Sequence, residues 1–416
     1  MNAVASTTPR YAALQNRNFV LLWSGLIVSN VGTWIQDVGM GWLVLQLTNS
    51  PLWLGLLGLS FALPMILLPL VGGAVVDRVH RVRLLYVTQT ALMLMSFALA
   101  FLTWMNLIAV WYLLAASFIN ATVLAFDNPA RRSLIPDLVP KRDLMNALSL
   151  SAATHNGAAL IGPAIAGALI GPLGVGTLFF LNGISYMAVL IALKGMRDVP
   201  THSGGIHASF GQSMLAGLIY AWRTRFIFIL LILSALTAIF GRSYRNLFPI
   251  FARDIWHSGA HGYGFLLSAG GAGALAGAFG LASIRHLKRP GAVTVGCGLL
   301  FSASVILFAI SPSLVMGIIF IFIGSVAATV FVTIIATFIQ VEVPHELRGR
   351  IMSLYAITLI GFPALGGLGI GAIAELLGGI PGAPRAVLIG GIIVGAVLLL
   401  VSPFLRHRRI NVQAHD

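Results

Sequence analysis

Residues 135–168 read IPDLVPKRDLMNALSLSAATHNGAALIGPAIAGA, and residues 339–372 read IQVEVPHELRGRIMSLYAITLIGFPALGGLGIGA. Laid over one another at an offset of 339 − 135 = 204, they match at Ile135/Ile339, Val139/Val343, Pro140/Pro344, Ser149/Ser353, Thr154/Thr358, Gly157/Gly361, Gly162/Gly366 and Gly167/Gly371. The same offset extends back without a gap to Gly55/Gly259, Gly58/Gly262, Phe61/Phe265, Gly73/Gly277 and Arg81/Arg285. An apolar chain supplies some Gly and Ala matches by composition, but one register held across several segments is hard to reach by chance. The chain is two copies of one unit in the same orientation.

The nature of the unit follows from composition. Of 416 residues, 58% are hydrophobic and 9% charged, and the mean hydropathy is +0.96, whereas soluble domains are about a quarter charged. So few polar residues cannot cover a globule in water, so the solvent is lipid. The net charge of +14 would suggest nucleic acid in a soluble protein. Here the basic residues sit in short gaps between apolar runs, as membrane anchors do, and no nucleic-acid partner is expected.

A bilayer crossing takes about 20 apolar residues, and cutting at charged or Pro/Gly-rich gaps gives twelve runs, starting near residues 18, 52, 83, 108, 144, 174, 226, 260, 291, 313, 348 and 385. Alternate gaps are basic: Arg78, Arg81 and Arg83; Arg131, Arg132, Lys141 and Arg142; Lys194 to Arg225; Arg285, Lys288 and Arg289; Arg348 and Arg350; Arg406 to Arg409. The other gaps hold almost none, with Arg253 and Arg385 as exceptions. The positive-inside rule then puts both termini in the cytoplasm. The first run is too long for a signal peptide and lacks a clean cleavage site, so it stays as a span. Cys297, the single cysteine, excludes an internal disulfide.

The fold class is therefore an all-α membrane protein of twelve transmembrane helices in two parallel six-helix repeats. The expected domains are residues 1–193, a linker at 194–225 and residues 226–416. Within the linker Phe210, Met214 and Leu218 recur at helical spacing before Trp222, which predicts a helix on the membrane surface. Parallel repeats with a substrate site near the bilayer midplane are the arrangement of major facilitator transporters.

The resemblance sharpens in the loop after the second run, Gly73-Ala-Val-Val-Asp77-Arg78-Val-His80-Arg81-Val-Arg83. It is similar to the signature loop between helices 2 and 3 of those transporters. His80 stands where a glycine is usual and Val82 where a basic residue is usual. Together with Gly32-Thr33-Trp34-Ile35-Gln36 and Phe126-Asp127-Asn128-Pro129-Ala130-Arg131-Arg132, the chain resembles the macrolide-efflux and enterobactin-exporter-like subfamily, the transmembrane secretion effectors. The resemblance implies a cytoplasmic latch built from Gly73, Asp77, Arg78, Arg81 and Asp127, with Asp77 facing the start of helix 11 and Arg81 bridging to Asp127. An acid there meets the positive end of a helix dipole and its free N–H groups. Gly157, Gly162, Pro163 and Gly167 in the fifth run resemble the Gly-Pro motif of antiporters, with Ala166 where a further glycine is usual.

Charges within spans cost about 2.5–3.5 kcal/mol each on insertion scales, which makes them functional candidates. Asp37 in span 1 and Arg242 in span 7 stand 242 − 37 = 205 apart, one off the repeat offset. They are candidates for a gate that pairs when the outer side is shut, or for proton coupling at Asp37. Arg242 with Arg245 also suits an anionic substrate. Proton-coupled drug exporters of this type carry a membrane-embedded arginine in span 4, but Ser117-Phe118-Ile119-Asn120 has no basic residue. Asn30, Trp34, Gln36, Asn120, Thr237, Phe240, Tyr244, Thr329 and Thr333 are candidates for the substrate wall, on the spans that line the cavity in this fold. Glu375 is expected at the membrane interface.

No GxxxxGK[ST] or HExxH stretch occurs in the sequence, so neither ATP hydrolysis, a metal site nor a cofactor is expected, and the chain is read as no enzyme. The expected function is export of a small amphiphile, drug-like or siderophore-like, by alternating access, with proton antiport as one coupling. Import or facilitated passage of another solute, or a sensor of the same fold, is the alternative. A monomer in a bacterial inner membrane is expected.

Overall fold

A segment in lipid must satisfy its backbone N–H and C=O groups internally, so apolar runs of this length fold as helices. In the computed structural model the described residues are 12–68, 72, 75, 76, 78–197, 218–284 and 287–406. Ten helical stretches among them are long and apolar enough to cross a membrane. One of these, Leu144–Gly195, has 52 residues and breaks at Gly174, where φ is 74° and ψ 167°, a conformation essentially confined to glycine that would cost any other residue about 1–3 kcal/mol. It is therefore two crossings. The apolar helix Pro51–Leu67 has 17 residues, and helical backbone recurs beyond it at Gly72, Val75 and Val76.

Among the described residues the membrane-crossing helices are α1 (Arg17–Thr48), α2 (Pro51–Leu67), α3 (Arg81–Trp104), α4 (Val110–Leu138), α5 (144–173) and α6 (175–195) in the first half. The second half holds α7 (Arg225–Ile255), α8 (Gly259–Ala282), α9 (Pro290–Ala309), α10 (Leu314–Glu342), α11 (His345–Leu376) and α12 (Ala383–Leu405). Their starts fall within 348 − 345 = 3 residues of the sequence reading. Of the expected linker helix, Phe210 and Met214 lie outside the described residues; residues 218–223 are helical, with Leu218 and Trp222 exposed.

Small residues let helices pack closely where lipid gives no hydrophobic drive. Gly25, Gly32 and Gly39, seven apart on α1, face Val189, Ser185 and Leu178 of α6. In the second half the core is aromatic: Tyr244, Phe248, Phe251, Trp256 and Phe308 stack with ring centroids 4.5–5.5 Å apart. Such pairs add about 0.5–1.5 kcal/mol each beyond the area they bury.

An even number of crossings puts both termini at one end, the near end; the α1–α2 and α7–α8 turns mark the far end. The halves meet along two seams on the far side. α2 meets α11, where a Cβ on Gly55 would lie 2.6 Å from the Gly367 carbonyl oxygen and one on Gly371 2.6 Å from that of Pro51. α5 meets α8, where a Cβ on Gly264 would lie 2.4 Å from the Pro163 carbonyl oxygen and one on Gly271 2.8 Å from that of Ala159. One turn nearer the termini, the same face of α5 presents His155 and Asn156, and both are exposed. The seam has parted there, and the halves splay toward the near end.

Candidate functional site

Between the seams, at mid-depth, the halves enclose a cavity of about 400 Å³. α1 turns Trp34, Asp37 and Gly41 toward it, on one helical face. Asp37 is exposed to solvent through the cavity despite its depth. From α7 come Arg242, Arg245 and Asn246, again one face. Tyr263 of α8 stacks on Trp42 at 6.3 Å and sets its hydroxyl where a Cβ on Gly41 would be only 2.8 Å away.

The one-residue slip between Asp37 and Arg242 has a structural cause. Residue 37 + 204 is Gly241, and it points away from the cavity: a Cβ there would lie 2.7 Å from the Phe301 ring and 3.1 Å from Val394. α7 is a π-helix over Thr237–Arg242, a 3₁₀-helix over Ser243–Leu247 and π again over Phe251–Ile255. A π turn holds an extra residue, so the next one takes over the cavity face, and π-bulges of this kind gather at functional sites. The tighter 3₁₀ stretch then takes a residue back.

Asp37 and Arg242 share the cavity but do not form an ion pair, and neither they nor Arg245 makes a hydrogen bond or ion pair with any described residue. The expected gate pair is thus absent although the far end is shut, because both residues sit on the cavity wall rather than in its closed end. The closure lies higher. Arg253, at the end of α7, donates to the Leu45 carbonyl oxygen at 3.1 Å and to Asn49 Oδ1 at 2.7 Å, while Asp254 holds its Nε at 3.0 Å. Ser50 Oγ donates to Glu375 at 2.8 Å, again across the halves. Arg253 had stood out in the sequence only as an exception to the charge rule; its offset from Asn49, 253 − 49 = 204, was the available signal.

At the near end, Gly73 and Asp77 lie outside the described residues, so their part of the expected latch is not described, and Arg78 is exposed. The bridge from Arg81 to Asp127 is replaced by two others. Arg81 pairs with Asp137 and donates to the Ser133 carbonyl oxygen at 3.0 Å. Asp127 is fully buried, pairs with Arg131 one turn on, and accepts from Thr88 Oγ1 at 2.7 Å and Gln89 Nε2 at 2.8 Å. Thr88 is seven residues along α3 from Arg81, roughly 10 Å at 1.5 Å per residue, so Asp127 is beyond that guanidinium's reach.

In the antiporter-like stretch, Gly162 packs on Trp34, while Pro163 and Gly167 form the α5–α8 seam; around Gly157 the space is open. Of the candidates for the substrate wall, Trp34 lines the cavity. Asn30, half-buried, lies one turn below it on α1. Several others turn inward. Gln36 is fully buried in the first half and accepts from Ser96 and Asn182. Asn120 and Thr237 are buried, Tyr244 belongs to the aromatic cluster, and Phe240 lines a separate small cavity with α11 and α12. Thr329 and Thr333 donate to carbonyls of their own helix, at Ser325 and Thr329. Phase explains the split: Gln36 and Tyr244 are off the faces set by Trp34/Asp37/Gly41 and Arg242/Arg245/Asn246. The same phase would have pointed to Asn246.

Solved structures share this fold. A bacterial homologue of the human lysosomal transporter Spinster, in an inward-facing and unoccupied conformation, superposes with a TM-score of 0.73 at 15% identity, over 93% of this chain and 97% of that one. The nucleoside transporter NupG does so with 0.73 at 13% identity, over 95% and 100%. Among sequences, a staphyloferrin A transporter of Staphylococcus aureus is 30% identical over 165 residues, 39% of this chain and 42% of that protein. The enterobactin exporter EntS of Escherichia coli K12 is 26% identical over 274 residues, 66% and 65%. Both matches span less than two thirds of the relative. The EntS of Shigella boydii serotype 4 is 25% identical over 415 residues, 98% and 95%. Residues 8–414 match the profile of the transmembrane secretion effectors. Because that match runs through all twelve helices, the chain belongs to the transmembrane secretion effector family of major facilitator transporters.

Proposed function

We propose that this transporter exports small amphiphilic molecules across a bacterial inner membrane by rocking residues 1–193 against residues 226–416, with 194–225 as the tether. The reading is supported by one observation above all. A mid-depth cavity lies between the halves, shut at the far end by glycine seams and the Arg253 contacts and splayed at the near end. With the near end cytoplasmic, the orientation its basic residues favour, this is the loading state of an exporter: cargo enters from inside, the near end closes, and the far-end contacts break. Exporters of enterobactin among its relatives favour the same direction. The chain is proposed to work as a monomer, since each copy holds a complete cavity.

Proton antiport would run through Asp37, the one carboxylate in the cavity among the described residues, for a neutral or cationic cargo that competes with the proton there.

The test uses a Cys297→Ser background with single cysteines at His155 and Ser50, probed with a membrane-impermeant maleimide. His155→Cys should label in inverted vesicles and Ser50→Cys in intact cells. Inverted vesicles should also accumulate members of a panel of siderophores and lipophilic dyes. Accumulation confined to right-side-out vesicles would make the protein an importer, and a failure to accumulate any cargo in either orientation would favour a sensor.

A further inference from the structure

Among the described residues the cavity carries two guanidiniums against one carboxylate, and the carboxylate pairs with neither of them. Arg242 and Arg245, three residues apart on α7, have like charges side by side on one helical face. A guanidinium in so apolar a setting is normally paired, because its planar fork of donors matches an oxyanion in a bidentate way. Here neither fork has a partner among the described residues, on a wall where apolar groups such as Phe61, Leu54, Leu267 and Leu359 are prominent. Asn246 and the Tyr263 hydroxyl stand in the same cavity as further donors. Asp37 faces it from α1, so the two walls are unlike: donors and positive charge on the second half, an acceptor on the first.

We infer that the cargo is an amphiphilic oxyanion, such as a carboxylate, seated on Arg242 and Arg245 with its apolar body against Trp34 and Phe61. This rests on the reading of the cavity as the transport site, and it adds the sign of the cargo. With Asp37 ionised the three side chains sum to one positive charge, which a monoanion balances. A proton on Asp37 and an anion on the arginines favour each other's binding, so such a cargo does not compete with the proton. Its export is drawn by the inside-negative membrane potential, which expels negative charge.

Matched pairs test this: N-dansyl amino acids of graded apolar size and their methyl esters, which differ in charge and hardly in shape. Binding to the purified full chain is read by quenching of tryptophan fluorescence, and uptake is read in inverted vesicles with and without a potassium-diffusion potential. At least one acid should bind ten or more times more tightly than its ester, and its uptake should rise when the vesicle lumen is made positive. Arg242→Gln with Arg245→Gln should bring the acid down to the ester's level and leave the ester unchanged, while Arg245→Lys retains part of the difference; unaltered melting temperatures exclude misfolding. Equal binding of acid and ester, binding of neither, or an acid preference that survives loss of both arginines would each overturn the inference. The labelling experiment judges alternating access separately, so either reading can fail while the other stands.

Discussion

Asn49 and Arg253 occupy the same position in the two repeats and are hydrogen-bonded to each other at 2.7 Å across the far end of the molecule. Asn49 closes α1 in a left-handed conformation, φ 48°, which asparagine tolerates better than most residues. Its side chain thereby reaches the guanidinium that ends α7. In the proposed cycle the contact holds only while that end is shut, and so weights one side of it.

Arg253→Ala should move the population toward a far-open state. Hydrogen bonds to charged groups contribute about 1.5–3 kcal/mol, discounted here because the arginine side chain is 22% exposed. A shift of about 1–2 kcal/mol, roughly five- to thirtyfold in the equilibrium, is expected. Maleimide labelling of a cysteine at Met40 from outside should rise by that factor. Asn49→Ala in the same background should add little, since the two share one bond; full additivity of the two changes would show that they act apart.

The α5–α8 seam gives an internal contrast. A side chain at Gly264 meets the Pro163 carbonyl oxygen, whereas one at Gly157 meets nothing within 4 Å. Gly264→Val should hold the seam apart and reduce transport at least tenfold in vesicle assays. Gly157→Ala, in the same glycine-rich motif as Pro163, should change stability by less than about 0.5 kcal/mol and leave transport intact.

Asp127→Asn should be among the more destabilising single changes near the end that holds the termini. It removes one partner of a buried ion pair and leaves Arg131 uncompensated, a loss of about 3–5 kcal/mol. Thermal unfolding in detergent measures it. A shift in melting temperature too small to detect would show that Thr88 and Gln89 alone hold this corner.

Asp37→Asn raises the cavity from one net positive charge to two. An acidic dansyl probe should then bind about tenfold more tightly, equivalent to 1.4 kcal/mol, and leave more slowly, so that turnover falls while affinity rises. Quenching titrations and vesicle flux on the same preparation separate the two effects. Weaker binding in this variant would reverse the assigned charge logic.

The architecture was legible in the sequence because lipid imposes simple rules: the length of apolar runs gave the twelve helices, and the 204-residue offset gave the duplication. Trp34, Asp37 and Arg242 were found for a similar reason, since polar groups in spans stand out. What escaped depended on helix phase. Gln36 and Tyr244 carry suitable chemistry but point into the bundles, and only the irregular backbone of α7 shows that residue 242 rather than 241 meets the cavity. The partner of Arg81 also escaped, because which of Asp127 and Asp137 it meets depends on how far α4 slides along α3.

The π turn in α7 has a consequence for ancestry. Two fused copies of one gene product would at first present identical walls to the space between them, and identical walls can grip only symmetrical things. The wide turn at 237–242 and the tight turn that follows change which residue of one copy faces the space, and so break that equivalence while the 204-residue offset is kept. An acid from one parent copy then looks across at a base from the other, and polarity in the site arises from a shift in registration rather than from a new scaffold.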